Sequence, residues 1–133
     1  MAELSHSKAA LLCIDDDYAV LECEKALLET FGYTVVTASS GAEGLKLAGL
    51  HSFDVVIVDY NMPEMSGQQL AVAMRRLRPL APIIMVSGAV DVPEQALEAV
   101  DAFVAKPCLA SRLLPAIELL CGSKLPTKKA LGT

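Results

Sequence analysis

The chain has 133 residues, 53% of them hydrophobic, no tryptophan and a net charge of −5. That is one domain with enough Leu, Val, Ile and Ala for a core that needs neither disulfides nor a structural metal. No run reaches the ~18 uninterrupted apolar residues of a membrane-spanning helix, and Met1 to Lys8 lack the layout of a secretion signal, so the expectation is a soluble cytoplasmic protein.

The charge is unevenly spread. Lys124, Lys128 and Lys129 lie in the tail, and without them eight basic residues face sixteen acidic ones. A body that acidic is a poor match for nucleic acid. Cys13, Cys23, Cys108 and Cys121 form no Cys-x-x-Cys pair, which argues against a disulfide framework or a zinc site. Cys13 falls within an apolar run and reads as a small core residue.

Strand and helix patterns alternate along the chain. Ala9–Ile14 reads as a strand, followed by a helix over Tyr18–Phe31 with Val20, Cys23, Leu27, Leu28 and Phe31 on one face and Asp17 as its N-cap. Gly32 ends that helix, and Tyr33–Ala38 is a second strand. Ser40-x-x-Glu43 is a capping box opening a helix to about Leu50. Asp54–Asp59 is a third strand, and Ser66-x-x-Gln69 a second capping box, with Leu70, Ala73, Met74 and Leu77 following at helical spacing. Pro79 and Pro82 introduce a strand over Ile83–Ser87. A short helix over Pro93–Val100, a strand over Ala102–Ala105 and a helix from about Ser111 to Leu120 complete the pattern. The segments 1–8 and 122–133 read as a short arm and a flexible tail or severed linker, leaving 9–121 as the domain.

Five βα units with apolar strands imply an α/β fold: a parallel sheet covered by helices on both faces. Right-handed crossovers bring the C-terminal ends of all five strands to one edge. Asp15, Asp16, Asp59, Ser87 and Lys106 all stand at those ends. Ligands bind at that edge in open α/β sheets. Several acids and one lysine together suggest a divalent cation and a phosphoryl group.

The segments Ile14-Asp15-Asp16-Asp17, Val58-Asp59-Tyr60-Asn61-Met62-Pro63-Glu64-Met65-Ser66-Gly67, Val86-Ser87-Gly88 and Phe103-Val104-Ala105-Lys106-Pro107 occur in an order that resembles the receiver domain of two-component response regulators. The resemblance covers about Lys8 to Cys121. It implies a doubly wound, flavodoxin-like (βα)5 sheet with strand order 2-1-3-4-5. It also implies Asp59 as phosphoacceptor and Mg²⁺ (or Mn²⁺) held directly by Asp16, through water by Asp15, and by Asp59 and the Asn61 backbone carbonyl, while Asp17 caps the helix. Ser87 and Lys106 would contact the phosphoryl group, Gly88 would leave room and a free N–H beside it, and Lys106-Pro107 would be joined by a cis bond. Ser87 and Phe103 match the family's switch pair, in which the hydroxyl moves to the phosphoryl group and the ring swings inward behind it.

The resemblance extends to partners. A sensor histidine kinase or a histidine phosphotransfer protein would supply the phosphoryl group, docking on the first helix through Val20, Leu21 and their neighbours. The output would be a downstream protein or a fused domain, with no direct nucleic-acid or membrane binding, from a monomer or a weak phosphorylation-dependent dimer. The residues after Cys121 are too few for an output domain, so the expectation is a stand-alone regulator or a receiver cut from a longer chain.

Two features depart from the family pattern. The segment between Ser87 and Phe103 is about three residues shorter than in the chemotaxis single-domain regulator, which would leave a short fourth helix on the usual output face. Pro115 must fall in the first turn of the last helix or kink it. Asn61 and Ala89 occupy positions that modulate phosphoaspartate lifetime in the family. Two other readings compete. Haloacid-dehalogenase-like phosphatases pair a strand-end Asp with Mg²⁺, but they carry a second Asp where Asn61 stands, and they are enzymes; a receiver is not one beyond assisting its own phosphorylation and dephosphorylation. A receiver fold working as an unphosphorylated interaction module is opposed by the complete set of acids with Ser87 and Lys106.

Overall fold

The chain alternates strand and helix in a computed structural model that describes residues 9–88, 92–106 and 110–122. The strands are β1 (Ala10–Ile14), β2 (Thr34–Ala38), β3 (Val55–Asp59), β4 (Ile83–Ser87) and β5 (Ala102–Ala105). The helices are α1 (Tyr18–Thr30), α2 (Gly41–Leu50), α3 (Gly67–Leu77), α4 (Glu94–Leu97) and α5 (Ala110–Gly122). All pairings are parallel, in the order β2-β1-β3-β4-β5 expected from the resemblance. No helix among the described residues is long and apolar enough to cross a membrane.

Alternation along the strands sends side chains to two separate cores. Leu11, Cys13, Val55, Ile57, Ile84, Val86 and Val104 pack with Leu21 and Leu28 of α1 and Leu113 and Ile117 of α5. Leu12, Ile14, Val56, Val58, Ile83 and Met85 pack with Ala48 of α2, Leu70, Ala71 and Met74 of α3 and Ala96 of α4. Covering both faces explains why the strands read as continuous apolar runs.

Several local expectations need correction. The buried face of α1 is Leu21, Glu24 and Leu28; Cys23 and Phe31 are exposed. Apolar residues occur nearly all round this helix, so their spacing cannot select a face. In α3 the buried residues include Ala71, while Leu77 is exposed. Helix α4 is a single turn after Pro93 with no side-chain cap. Helix α5 begins at Ala110 and runs through Gly122, which puts Pro115 inside the helix rather than in its first turn. The proline removes one backbone bond from the second turn. Gly32 adopts φ 97° and ends α1 as expected. The arm 1–8, Ala89, Pro107 with its peptide bond, Cys108 and the tail from 123, including Lys124, Lys128 and Lys129, lie outside the described residues.

Candidate functional site at the C-terminal edge of the sheet

The edge is assembled by ladder bonds that continue one residue beyond the strands. Asp15 N donates to Ala38 O at 3.2 Å, Tyr60 N to Val86 O at 2.9 Å and Lys106 N to Ser87 O at 2.9 Å. These bonds fix the backbone on which Asp15, Asp59, Ser87 and Lys106 stand. Asp17 then opens α1, its Oδ1 accepting from Ala19 N and Val20 N.

The loop between β3 and α3 is held at both ends. Ser66 and Gln69 form a reciprocal capping box at the start of α3, and Gly67 N donates to Tyr60 O at 2.8 Å. A Cβ on Gly67 would lie 2.5 Å from Tyr60 Cα and 2.7 Å from Asp59 O. Only glycine lets α3 approach the acceptor strand this closely. At the start of α2, Ser40 Oγ accepts from Glu43 N, but Glu43 returns its bonds to Ser39 N and Ser39 Oγ, so the box is displaced by one residue.

Asp15, Asp16 and Asp59 converge, each offering a carboxylate oxygen within 4.8 Å of the others. Asp15 and Asp59 are buried and Asp16 is exposed. Lys106 Nζ lies 2.9 Å from Asp59 Oδ1 and 3.4 Å from Asp15 Oδ2, and Asp15 Oδ1 also accepts from Asp17 N. The ammonium approaches Asp59 Oδ1 off the direction of a good hydrogen bond, so this buried oxygen has ionic contact but no oriented donor.

Burial pushes the Asp59 carboxyl above its ordinary range, and the charges of Asp15 and Asp16 add to this against the opposing pull of Lys106. Burial alone would lower the Lys106 ammonium, but its close contact with the Asp59 carboxylate, together with the charge and bond of Asp15, holds it well above the ordinary lysine value. The hard oxygen donors, the excess negative charge and the under-bonded Asp59 oxygen fit a divalent cation that takes oxygen ligands.

The other expected residues fall as follows. Ser87 ends β4 with no exposed surface and is in register with Ala105, one residue before Lys106. Asn61 is exposed in the β3–α3 loop. Gly88 is exposed, and a Cβ there would meet Lys106 only at ordinary contact distance, 3.7 Å, so packing within the protein does not demand glycine at that position. Phe103 is 39% exposed, which excludes a plain core role. Its strand neighbour Val104 takes the inward position against α5, and the single turn of α4 is too short to cover the other face. On α1, Leu21 is fully packed and offers nothing to a partner. The exposed apolar surface there is Tyr18, with Val20 half-buried.

A cleft of about 240 Å³ adjoins Asp16, walled by Ser39, Ser40, Met62 and Met65 among others. Another, of about 380 Å³, opens at the opposite edge between His51, Phe53, Arg78 and Leu80, and none of the clustered acids lines it. The smaller cleft is thus the one that adjoins the acidic edge.

Sequence reasoning missed Arg75 and Asp101. Arg75 Nη1 donates to Pro79 O and Ala81 O, and Nη2 donates to Ala99 O and to Asp101 Oδ2, the last two both at 2.8 Å. Asp101 Oδ2 also accepts from Ile83 N at 2.8 Å. The two residues are far apart in the chain with no local pattern joining them, so only the fold reveals the pair.

The sequence profile of the response regulator receiver domain matches residues 11–118. The chain is 36% identical over 118 residues to the transcriptional regulatory protein GlrR of Escherichia coli, an alignment covering 86% of this chain and 27% of that protein. It thus spans about a quarter of that relative's length. Among solved structures it is similar to a response regulator receiver domain protein from Clostridium thermocellum, with 35% identity, TM-score 0.81, and 87% of this chain and 96% of the other covered. It is also similar to the response regulator TrrA of Thermotoga maritima in complex with Mg²⁺-BeF, with 29% identity, TM-score 0.79, and 84% and 97% covered.

Proposed function

The chain belongs to the response regulator receiver domain family, and from that premise we propose that it is a phosphoacceptor of a two-component or phosphorelay system. Asp59 accepts a phosphoryl group from the phosphohistidine of a sensor kinase or histidine phosphotransfer protein. The observation that carries this reading is the buried Asp59 Oδ1, lacking an oriented donor and lying 2.9 Å from Lys106 Nζ.

A carboxylate oxygen of Asp59 attacks phosphorus while the phosphorus–nitrogen bond of the donor breaks, its electron pair remaining on the imidazole. Lys106 then pairs with a phosphoryl oxygen, and the Ser87 hydroxyl and the Gly88 N–H donate to others. Asp15, Asp16, Asp59 and the Asn61 carbonyl would hold Mg²⁺ (or Mn²⁺), which when bound offsets the charge gathering on the phosphoryl oxygens. Buried next to Ala105, Ser87 is suited to respond to the modification, and the half-exposed ring of Phe103 has room to move inward in turn.

The domain comprises 9–121, flanked by an arm over 1–8 and a linker or tail over 122–133. It acts in the cytoplasm through a protein partner or a fused output domain and catalyses only its own phosphorylation and dephosphorylation. Tyr18 and Val20 replace Leu21 in the docking surface on α1.

Intact-mass spectrometry after incubation with Mg²⁺ and acetyl phosphate tests the assignment. Wild type gains one phosphoryl mass, and Asp59→Asn or chelation of the metal removes the gain. If wild type shows no adduct and also fails to bind fluoroberyllate, the domain is an unphosphorylated interaction module.

A further inference from the structure

Lys106 is carried by the edge strand β5, which has only four residues and pairs only with β4. An edge strand of that length has weak intrinsic register, and a slip of one residue would turn Lys106 to the other face of the sheet. A slip of two would displace it by about 6.6 Å, well beyond its 2.9 Å contact with Asp59. Besides the ladder itself, side-chain bonds that fix the register lie at the opposite end of the strand. Asp101 N donates to Ile83 O at 2.8 Å, and the Asp101 carboxylate takes Ile83 N at 2.8 Å, locking residue 101 to the first residue of β4 at two points. Arg75 then holds that same carboxylate oxygen and the Ala99 carbonyl from the last turn of α3. Its other nitrogen grips the α3–β4 loop through Pro79 O and Ala81 O.

We infer that Arg75 and Asp101 are positioning residues for the phosphoryl site: from the far edge of the sheet they set the register of β5 and thereby deliver Lys106 to Asp59. This rests on the phosphoacceptor reading of Asp59 and deepens it. Neither residue touches the acids, so the effect passes along the strand.

The consequence has a sign that general loosening does not share. Lys106 is the cation already facing Asp59 and Asp15. Displacing it removes a competitor for a divalent ion while removing a partner for phosphoryl oxygens. Asp101→Ala therefore binds Mg²⁺ alone at least as tightly as wild type, yet loses about tenfold in fluoroberyllate affinity, close to a 1.4 kcal/mol change. Adding Lys106→Ala to Asp101→Ala lowers that affinity little further, and the Lys106 Nζ resonance moves toward that of a solvated lysine. Asp101→Asn, which keeps an acceptor for Ile83 N, recovers most of the loss. Arg75→Lys, which cannot keep all four guanidinium bonds, serves as the test variant if Asp101→Ala does not fold. The proposal is overturned by unchanged fluoroberyllate affinity in folded Asp101→Ala or Arg75→Lys, by a parallel fall in Mg²⁺ affinity, or by full additivity with Lys106→Ala. Failure of wild type itself to bind fluoroberyllate would instead overturn the Asp59 assignment.

Discussion

Aspartates stand at both edges of this sheet, and Asp59 differs from those at the opposite edge. At the N-terminal edge Asp54 Oδ2 accepts from Ala10 N at 2.8 Å, and Asp101 Oδ2 accepts from Ile83 N and Arg75. At the C-terminal edge Asp59 Oδ1 receives no oriented donor at all. The difference is in the supply of donors, not in the side chain. Parallel strands all begin at one edge, where their first N–H groups are free to bond a carboxylate, and all end at the other. Acids at the first edge become structural staples. At the second edge Asp15 and Asp17 find loop and helix N–H donors, and Asp59 is the acid left under-bonded beside a cation.

The largest effect should come from deforming the reactive edge itself. Gly67→Ala drives a Cβ into the backbone of Tyr60 and Asp59 and should cost about 3 kcal/mol, read as a lower urea midpoint. Next comes the staple edge. Asp101→Ala leaves Ile83 N and one Arg75 donor without their acceptor, for a loss of about 2 kcal/mol given the partial exposure of the pair.

The smallest change should have the opposite sign and therefore tests the comparison most sharply. In chelator at neutral pH, Asp59→Asn should stabilise the fold by about 1 kcal/mol, since it removes an under-compensated buried charge while Lys106 keeps Asp15. Because the folded protein holds the Asp59 proton more tightly than the unfolded chain does, the contribution of Asp59 to stability without metal is greatest below the ordinary carboxylate range. It falls as pH rises through the raised Asp59 titration. Melting curves across pH 3 to 7 should show this slope in wild type and a shallower one in the variant; equal slopes would refute the account of the edge.

Much of this was legible from the residues alone. The bounds of β4 and β5 match those expected from the sequence, and the apolar runs do bring Asp15, Asp59 and Lys106 together at one edge. Such runs are readable because burial on both faces leaves no polar alternation to misjudge. The face of α1 was not readable, since its apolar residues surround the axis, and Glu24 is buried where a charge is not expected. The exposure of Phe103 was not readable either, because α4 is only a single turn, shorter than the Pro93–Val100 that spacing predicts. Gly67 was visible only as part of a motif; its need comes from a close approach between α3 and the backbone of β3. The Arg75–Asp101 pair depends on a contact between α3 and the entry to β5, which no local signal encodes.

The two cores have one further consequence. Helix α1 belongs to one layer and α4 to the other, and every residue of β3 and β4 between them is buried. The sheet is therefore a rigid partition, close-packed on both sides. Asp59 and Ser87 end the two central strands of that partition, and Lys106 follows the strand at its border.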